Sequence, residues 1–131
     1  MKHWTAPFYQ CVDAGDPRVA EYFAPDVHCQ VGNAPADVGL QAMFKGAIGR
    51  IVVATRGSNH RFINIWDQAD NTAVVESVVT YLRRDGRDVT VPAMTVLRRN
   101  SDGLIDMLRL YIDTSPLFDG WEQDSDEPAS R

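Results

Sequence analysis

Apolar and polar residues alternate through the second half of the chain, from Asn59 to Asp113. The runs "NHRFINIW", "TAVVESVVTYL", "DVTVPAMTVLR" and "LIDMLRLYID" read as four successive strands, because strand side chains point to opposite faces with a period of two. Between them stand Asp70-Asn71, Asp85-Gly86 and Asp102-Gly103, residue types that accept the positive φ of a tight hairpin. Three consecutive hairpins predict an antiparallel meander. Pro92 falls inside the third run, which predicts a bulge or an edge position there. One face of such a sheet has to be covered by other elements.

The first half supplies the cover. Trp4, Phe8, Cys11 and Val12 fall on one face of a helix that "DAGD" ends at Gly15, with Pro7 early enough to be tolerated. Asp16 is suited to cap a short second helix that starts at Pro17 and runs to Phe23. "APDVHCQV" reads as a strand and "GNAPADVG" as a loop whose Asp37 can cap a third helix. In that helix Leu40, Met43, Phe44, Ala47, Ile48, Ile51 and Val52 recur at helical spacing. Gly46 and Gly49 interrupt it at about 1 kcal/mol each relative to alanine; close backbone approach to the sheet is the expected reason. The predicted class is α+β: a strongly curved antiparallel sheet wrapped as a cone around three N-terminal helices.

Composition adds few constraints. The 131 residues suit one domain. Residues 1–118 are expected to form it, and 119–131 an acidic, flexible tail with Trp121 inside it. Five acidic residues against Arg131 give that tail −4 of the chain's net charge of −5. No basic stripe points to nucleic acid, and no apolar run is long enough to span a membrane. The opening "MKHWTAPFYQ" lacks a signal-peptide core, and Cys11 and Cys29 are read as free thiols of a reducing cytoplasm. The three histidines lack metal-ligand spacing, so neither metal nor organic cofactor is expected.

The segments "FYQCVDAGDPRVAEYFAPDV", "GNAPADVG" and "DGLIDMLRLYIDTSPLF" make the chain resemble the SnoaL-like branch of the nuclear transport factor 2-like superfamily. The resemblance covers about Trp4 to Phe118 and implies the same cone, a cystatin-like α+β barrel with a pocket inside. It brings together ketosteroid isomerases, limonene-epoxide hydrolases, polyketide cyclases, dehydratases and non-catalytic binding modules. The ketosteroid isomerases use a tyrosine, a protonated aspartic acid and a basic aspartate. Carried over to this chain, those positions hold Phe8, Thr95 and Gln30. The epoxide-hydrolase set falls on Ser77, Val79 and Leu110, and the cyclase aspartate again on Leu110. The resemblance therefore implies the family's pocket without its best-known carboxylates.

The same carry-over points His28, Gln30, Ser77, Val79, Tyr81, Ala93, Thr95, Leu97, Leu108, Leu110 and Ile112 inward. Such a wall is mostly apolar with a few polar groups, as in small-molecule sites. The catalytic candidates are His28, Gln30, Tyr81 and Thr95. Histidine is the one side chain that titrates near neutral pH unaided, so His28 is the expected proton shuttle; a structural histidine at a strand end is the alternative. Tyr81 and Thr95 can donate hydrogen bonds to a substrate. Phe8, Asn33, His60, Ser77, Leu97, Leu108, Leu110 and Ile112 are the expected substrate contacts, with Asn33 at the rim and the facing of His60 open.

Arg109, Tyr111 and Asp113, with Glu76 and Thr80, fall on the opposite face. There they serve structure or a subunit contact, and the apolar residues Val78, Met94, Val96 and Met107 on that face predict a homodimer. Two functions remain open: a cofactor-independent cyclase, isomerase or hydrolase for an apolar polyketide-, terpenoid- or steroid-like molecule, or a binding module that carries such a ligand or pairs subunits.

Overall fold

The computed structural model describes residues 3–120, so of the acidic tail only Asp119 and Gly120 are included; the rest of it, with Trp121, lies outside the described residues. The chain runs through α1 (Thr5–Asp13), a 3-10 turn (Pro17–Tyr22), β1 (Phe23–Val31), β2 (Asp37–Val38), α2 (Leu40–Lys45) and α3 (Ala47–Ala54). Then come β3 (Thr55–Gln68), β4 (Thr72–Arg83), β5 (Asp88–Arg99), β6 (Ile105–Ile112) and the short α4 (Ser115–Phe118).

The predicted meander is present as β3 to β6, antiparallel throughout. Asp70 and Asn71 both have positive φ, while Gly86 and Gly103 supply it in the other two turns. The whole sheet is mixed, however. Its order is β2-β1-β6-β5-β4-β3, and β1 lies parallel to β6. It is curved and unclosed, with β2 and β3 as edges. Register shifts interrupt the β1–β6, β3–β4 and β5–β6 ladders, where extra residues on one strand bend it. Pro92 pairs with Val78, but the β5–β6 ladder begins only at Ala93. The proline thus occupies a stretch where β5 has no β6 neighbour, and its missing N–H costs no ladder bond.

The helices differ from their prediction in two ways. The third helix is not continuous: it breaks at Gly46 into α2 and α3, with Gly39 rather than Asp37 at its N-terminal cap. Asp37 instead belongs to β2, and its carboxylate sits against Gly46, where a Cβ would collide with it; a Cβ at Gly49 would meet the Phe44 carbonyl. The Gly46 approach is thus to a side chain of the edge strand β2, and the Gly49 approach is to the helix's own preceding turn. Asp16 caps the 3-10 turn as expected, accepting from the Arg18 N–H.

The core lies between the concave sheet face and the helices. Phe8, Val27, Met43, Val75, Val79, Leu97, Leu108 and Leu117 are among its buried members. Along β4, and along β5 from Val91 to Leu97, every second residue is buried, as the alternation predicts. The stripe on α1 is rotated, with Thr5, Phe8 and Tyr9 buried and Cys11 only half-buried.

Candidate functional site

The end of α1 is set directly against the start of β3. Gly15 (φ 65°) faces the Arg56 carbonyl, and Gly57 faces the Asp13 carbonyl; a Cβ at either would approach the opposing oxygen to 2.8 and 2.7 Å. Glycine at both points lets the two backbones meet, which a side chain would forbid. The carboxylate of Asp13 therefore reaches across to β3. It accepts from Ser58 Oγ at 2.8 Å, from the His60 backbone N–H at 3.2 Å, and lies 2.6 Å from His60 Nδ1.

These contacts decide the chemistry of the pair. Burial by itself would raise the Asp13 carboxyl, but hydrogen bonds from the His60 ring, the Ser58 hydroxyl and the His60 backbone, with the charge of His60, outweigh it and hold Asp13 below the usual carboxylate range. An ionised carboxylate only accepts. The short contact therefore requires Nδ1–H on His60, which in the neutral ring leaves Nε2 as the acceptor. The imidazole side chain is only 10% exposed. It lies 4.7 Å from the Tyr9 ring and stacks on Phe62 at 5.9 Å, centroid to centroid.

Deeper in the concave face, polar groups stand in apolar surroundings. Tyr9 (5% exposed), Ser77 (1%), Tyr81 (6%) and Thr95 (5%) are all buried. The Tyr9 hydroxyl and Ser77 Oγ have no hydrogen-bond partner. Thr95 neighbours the Tyr9 phenol and favours its ionised form, without a well-formed hydrogen bond to it. Burial, helped by the charges of Tyr81 and Asp13, pushes the Tyr9 phenol far above its ordinary value; burial and the Asp13 charge push Tyr81 up to about 12. Both phenols are thus protonated donors over the whole physiological range. Buried polar atoms are nearly always paired, and these two hydroxyls are exceptions to that rule.

A cavity of about 360 Å³ opens at one end of the sheet between β1, α3, β6 and α4, with Asn33, Arg50, Ile112, Ser115 and Phe118 among its walls. Ile112 pairs with Ala93, and Ala93 with Ser77. The cavity floor is thus two strands, about 10 Å, from the orphaned serine. A second hollow, about 530 Å³, is a surface groove between α1 and the 3-10 turn, lined by Cys11, Asp16, Arg18 and Tyr22 among others. Among the described residues no cluster of three or more His, Cys, Asp or Glu could hold a metal, and no helix is long and apolar enough to cross a membrane.

The SnoaL-like domain model matches residues 6–106, most of the chain. The chain belongs to the SnoaL-like domain family. Among solved structures, it is similar to an NTF2-like protein of unknown function from Burkholderia pseudomallei K96243, at 16% identity and a TM-score of 0.71 over 88% of this chain and 92% of that one. It is similar to SalBIII, an epoxide hydrolase/cyclase-like enzyme of pyran ring formation in the polyether salinomycin, at 16% identity and a TM-score of 0.72 over 86% and 90%. A third likeness is to a ketosteroid isomerase-like fold from Catenulispora acidiphila DSM 44928 in complex with trimethylamine, at 15% identity and a TM-score of 0.65 over 88% and 86%. At these identities the likeness concerns the fold. No curated protein matches the sequence.

Within this SnoaL-like domain the expected site residues divide. Ser77, Tyr81, Thr95, Leu97 and Leu108 face the concave interior and are buried, and Leu110 and Ile112 face it half-buried. Asn33 is exposed and lines the end cavity. Phe8 is in the core, edge-on to Tyr9, Tyr22 and Phe23. His28 and Gln30 face outward instead of inward: both are exposed, while Val27, Cys29 and Val31 take the buried positions. The irregularity lies between Phe23 and His28, where β1 advances five residues while β6 advances two; an odd excess of residues flips the facing of everything beyond it. Apolar alternation Val27-Cys29-Val31 carries the correct facing in the sequence itself. His60, whose facing was open, is turned inward against Tyr9 and Asp13.

Sequence reasoning missed Asp13, Tyr9 and Ser58. Asp13 sits in a helix-ending "DAGD" where an acidic residue is ordinary, and its partner is 47 residues away. The only available signal was the glycine that follows it.

Proposed function

We propose that the chain is a cofactor-independent enzyme that moves a proton on a small, largely apolar, oxygen-bearing molecule of polyketide, terpenoid or steroid type, as an isomerase, cyclase or hydrolase does. The observation that carries this reading is the 2.6 Å Asp13–His60 pair beside the orphaned Tyr9 hydroxyl. In this reading His60 Nε2 takes a proton from the substrate and returns it at a second atom. Asp13 holds the ring in the required tautomer and stabilises the imidazolium that forms. Tyr9, kept protonated by burial, donates to the substrate oxygen as negative charge develops, with Ser77 as a second donor. Tyr81 and Thr95 shape the wall, and His28 and Gln30, on the outer face, have no part in it. Two free thiols agree with a reducing, cytoplasmic setting. The open outer face of the sheet agrees with a homodimer.

The test is proton exchange. A panel of enolisable polyketide-, terpenoid- and steroid-type ketones is incubated with the protein in D₂O, and deuterium uptake is read by mass spectrometry. His60→Gln should lower the exchange rate about a hundredfold or more. Ligand retention without any exchange would instead identify a carrier, and an unchanged rate in His60→Gln would remove the assigned base.

A further inference from the structure

We infer that α4 is the gate of the interior site, swung from Thr114 and latched by Arg83 and Arg87 at the carbonyl of Asp119. The inference rests on the reading that Tyr9, Ser77 and Thr95 are where a ligand is handled. Those groups are buried, and the end cavity stops at Val31, Ile51 and Ile112 without reaching them. A ligand must therefore displace some covering element, and the elements differ in how they are tied.

The first helix is pinned to β3 at both ends by a histidine–aspartate contact of 2.6 Å, His3 to Asp67 and Asp13 to His60. Helix α3 runs into β3 without a loop. The Thr55 hydroxyl donates to the Ile51 carbonyl at 2.8 Å, and Arg84 donates to the carbonyls of Val53 and Ala54. Moving α3 would mean unzipping an edge of the sheet.

By contrast α4 is four residues long and leaves the sheet after Ile112. Thr114, Ser115 and Phe118 form one wall of the end cavity. Leu117 is driven into the core as a plug, and the Arg50 guanidinium lies 4.4 Å over the Phe118 ring. At its far end two guanidinium groups converge on one main-chain oxygen: Arg83 Nη1 donates to the Asp119 carbonyl at 2.7 Å and Arg87 Nη2 at 2.6 Å. Asp85 steadies both arginines. Side-chain donors on a carbonyl can let go and re-form without breaking any strand ladder. Lifting α4 would withdraw Leu117 from the core and open the cavity toward β5, against which α4 packs.

The experiment is hydrogen exchange on the whole chain, read by mass spectrometry, with and without Arg87→Ala. The segment 113–120 should exchange at least tenfold faster than 5–13 in the unaltered protein. Arg87→Ala should speed 113–120 a further threefold or more and leave 5–13 unchanged. The association rate of Nile red, a neutral apolar dye indifferent to the lost charge, should rise by a similar factor. Arg83→Lys should act in the same direction; if that buried substitution prevents folding, the Arg87 variant decides alone. Equal protection of the two segments, or Arg87→Ala without effect on exchange and dye entry, overturns the gate. Because neither readout needs turnover, a failed proton-exchange assay leaves this result standing, and proton exchange by a protein with a rigid α4 removes the gate alone.

Discussion

Asp13, the last residue of α1, does two jobs with one carboxylate: it fixes the start of β3 and orients His60. Its folded-state ionisation lies below the ordinary value. A depressed carboxylate contributes stability that is present above its unfolded pKa, near 4, and is lost as pH falls through the folded value. Asp13→Asn should therefore cost about 1–2 kcal/mol at pH 7. In urea melts at a series of pH values, the gap to the unaltered protein should close at the acid end; a gap independent of pH would contradict the ionic role. Tyr9 predicts the opposite pattern. Its hydroxyl is buried without a partner, so Tyr9→Phe removes an unsatisfied group and should leave the melting temperature unchanged or higher. Proton exchange should nevertheless fall at least tenfold. Loss of stability with full activity would make the hydroxyl a structural group. None of this was visible in the sequence. A tyrosine in an apolar helix stripe and an aspartate at a helix end both have ordinary local explanations, and only a partner distant along the chain changes their meaning.

At the scale of elements, hairpins were the most legible feature. Their turns are specified by pairs of adjacent residues, and their strands by a period of two. The parallel β1–β6 pairing was not legible, because no local residue encodes which distant strand β1 meets. The facing of β1 shows how the two kinds of information compete: the apolar alternation of Val27, Cys29 and Val31 was a better guide than carried-over spacing. The break between α2 and α3 is the clearest case of tertiary control. Alanine is the better helix former by about 1 kcal/mol, yet at Gly46 its Cβ would collide with the Asp37 carboxylate. Gly46→Ala should lower stability by about 1–3 kcal/mol. Combining it with Asp37→Ala should recover much of that loss, a coupling that a double-mutant cycle by chemical denaturation measures. Simple additivity would show that the break has another cause.

For the molecule as a whole, the outer sheet face is the open question of contact. Met94 (37% exposed) and Tyr111 (56%) are cross-strand neighbours, and Trp66 (41%) lies on the outer side of β3. Glu76 on the same face is taken up by Asn64, and Thr80 bonds Thr90 across the strands. The proposed homodimer would use this face. Sedimentation at micromolar concentration should give twice the chain mass, and Met94→Glu with Tyr111→Glu should halve it. A monomer before substitution would leave the apolar face without its proposed cover.

Local patterns, then, were enough to determine the class of the fold: alternation makes strands, turn residues join them, and a helical stripe must cover them. Those are short-range demands of backbone sterics and apolar burial, which any stretch of sequence carries within itself. Which polar groups meet inside was decided only by the folded chain. The meeting of Asp13 with His60 depends on two glycines letting a helix end touch a strand, and the isolation of Tyr9 and Ser77 depends on everything packed around them. Hydrogen-bond satisfaction is a property of three-dimensional neighbours, so these polar groups acquire their neighbours only once the sheet has curved around the helices.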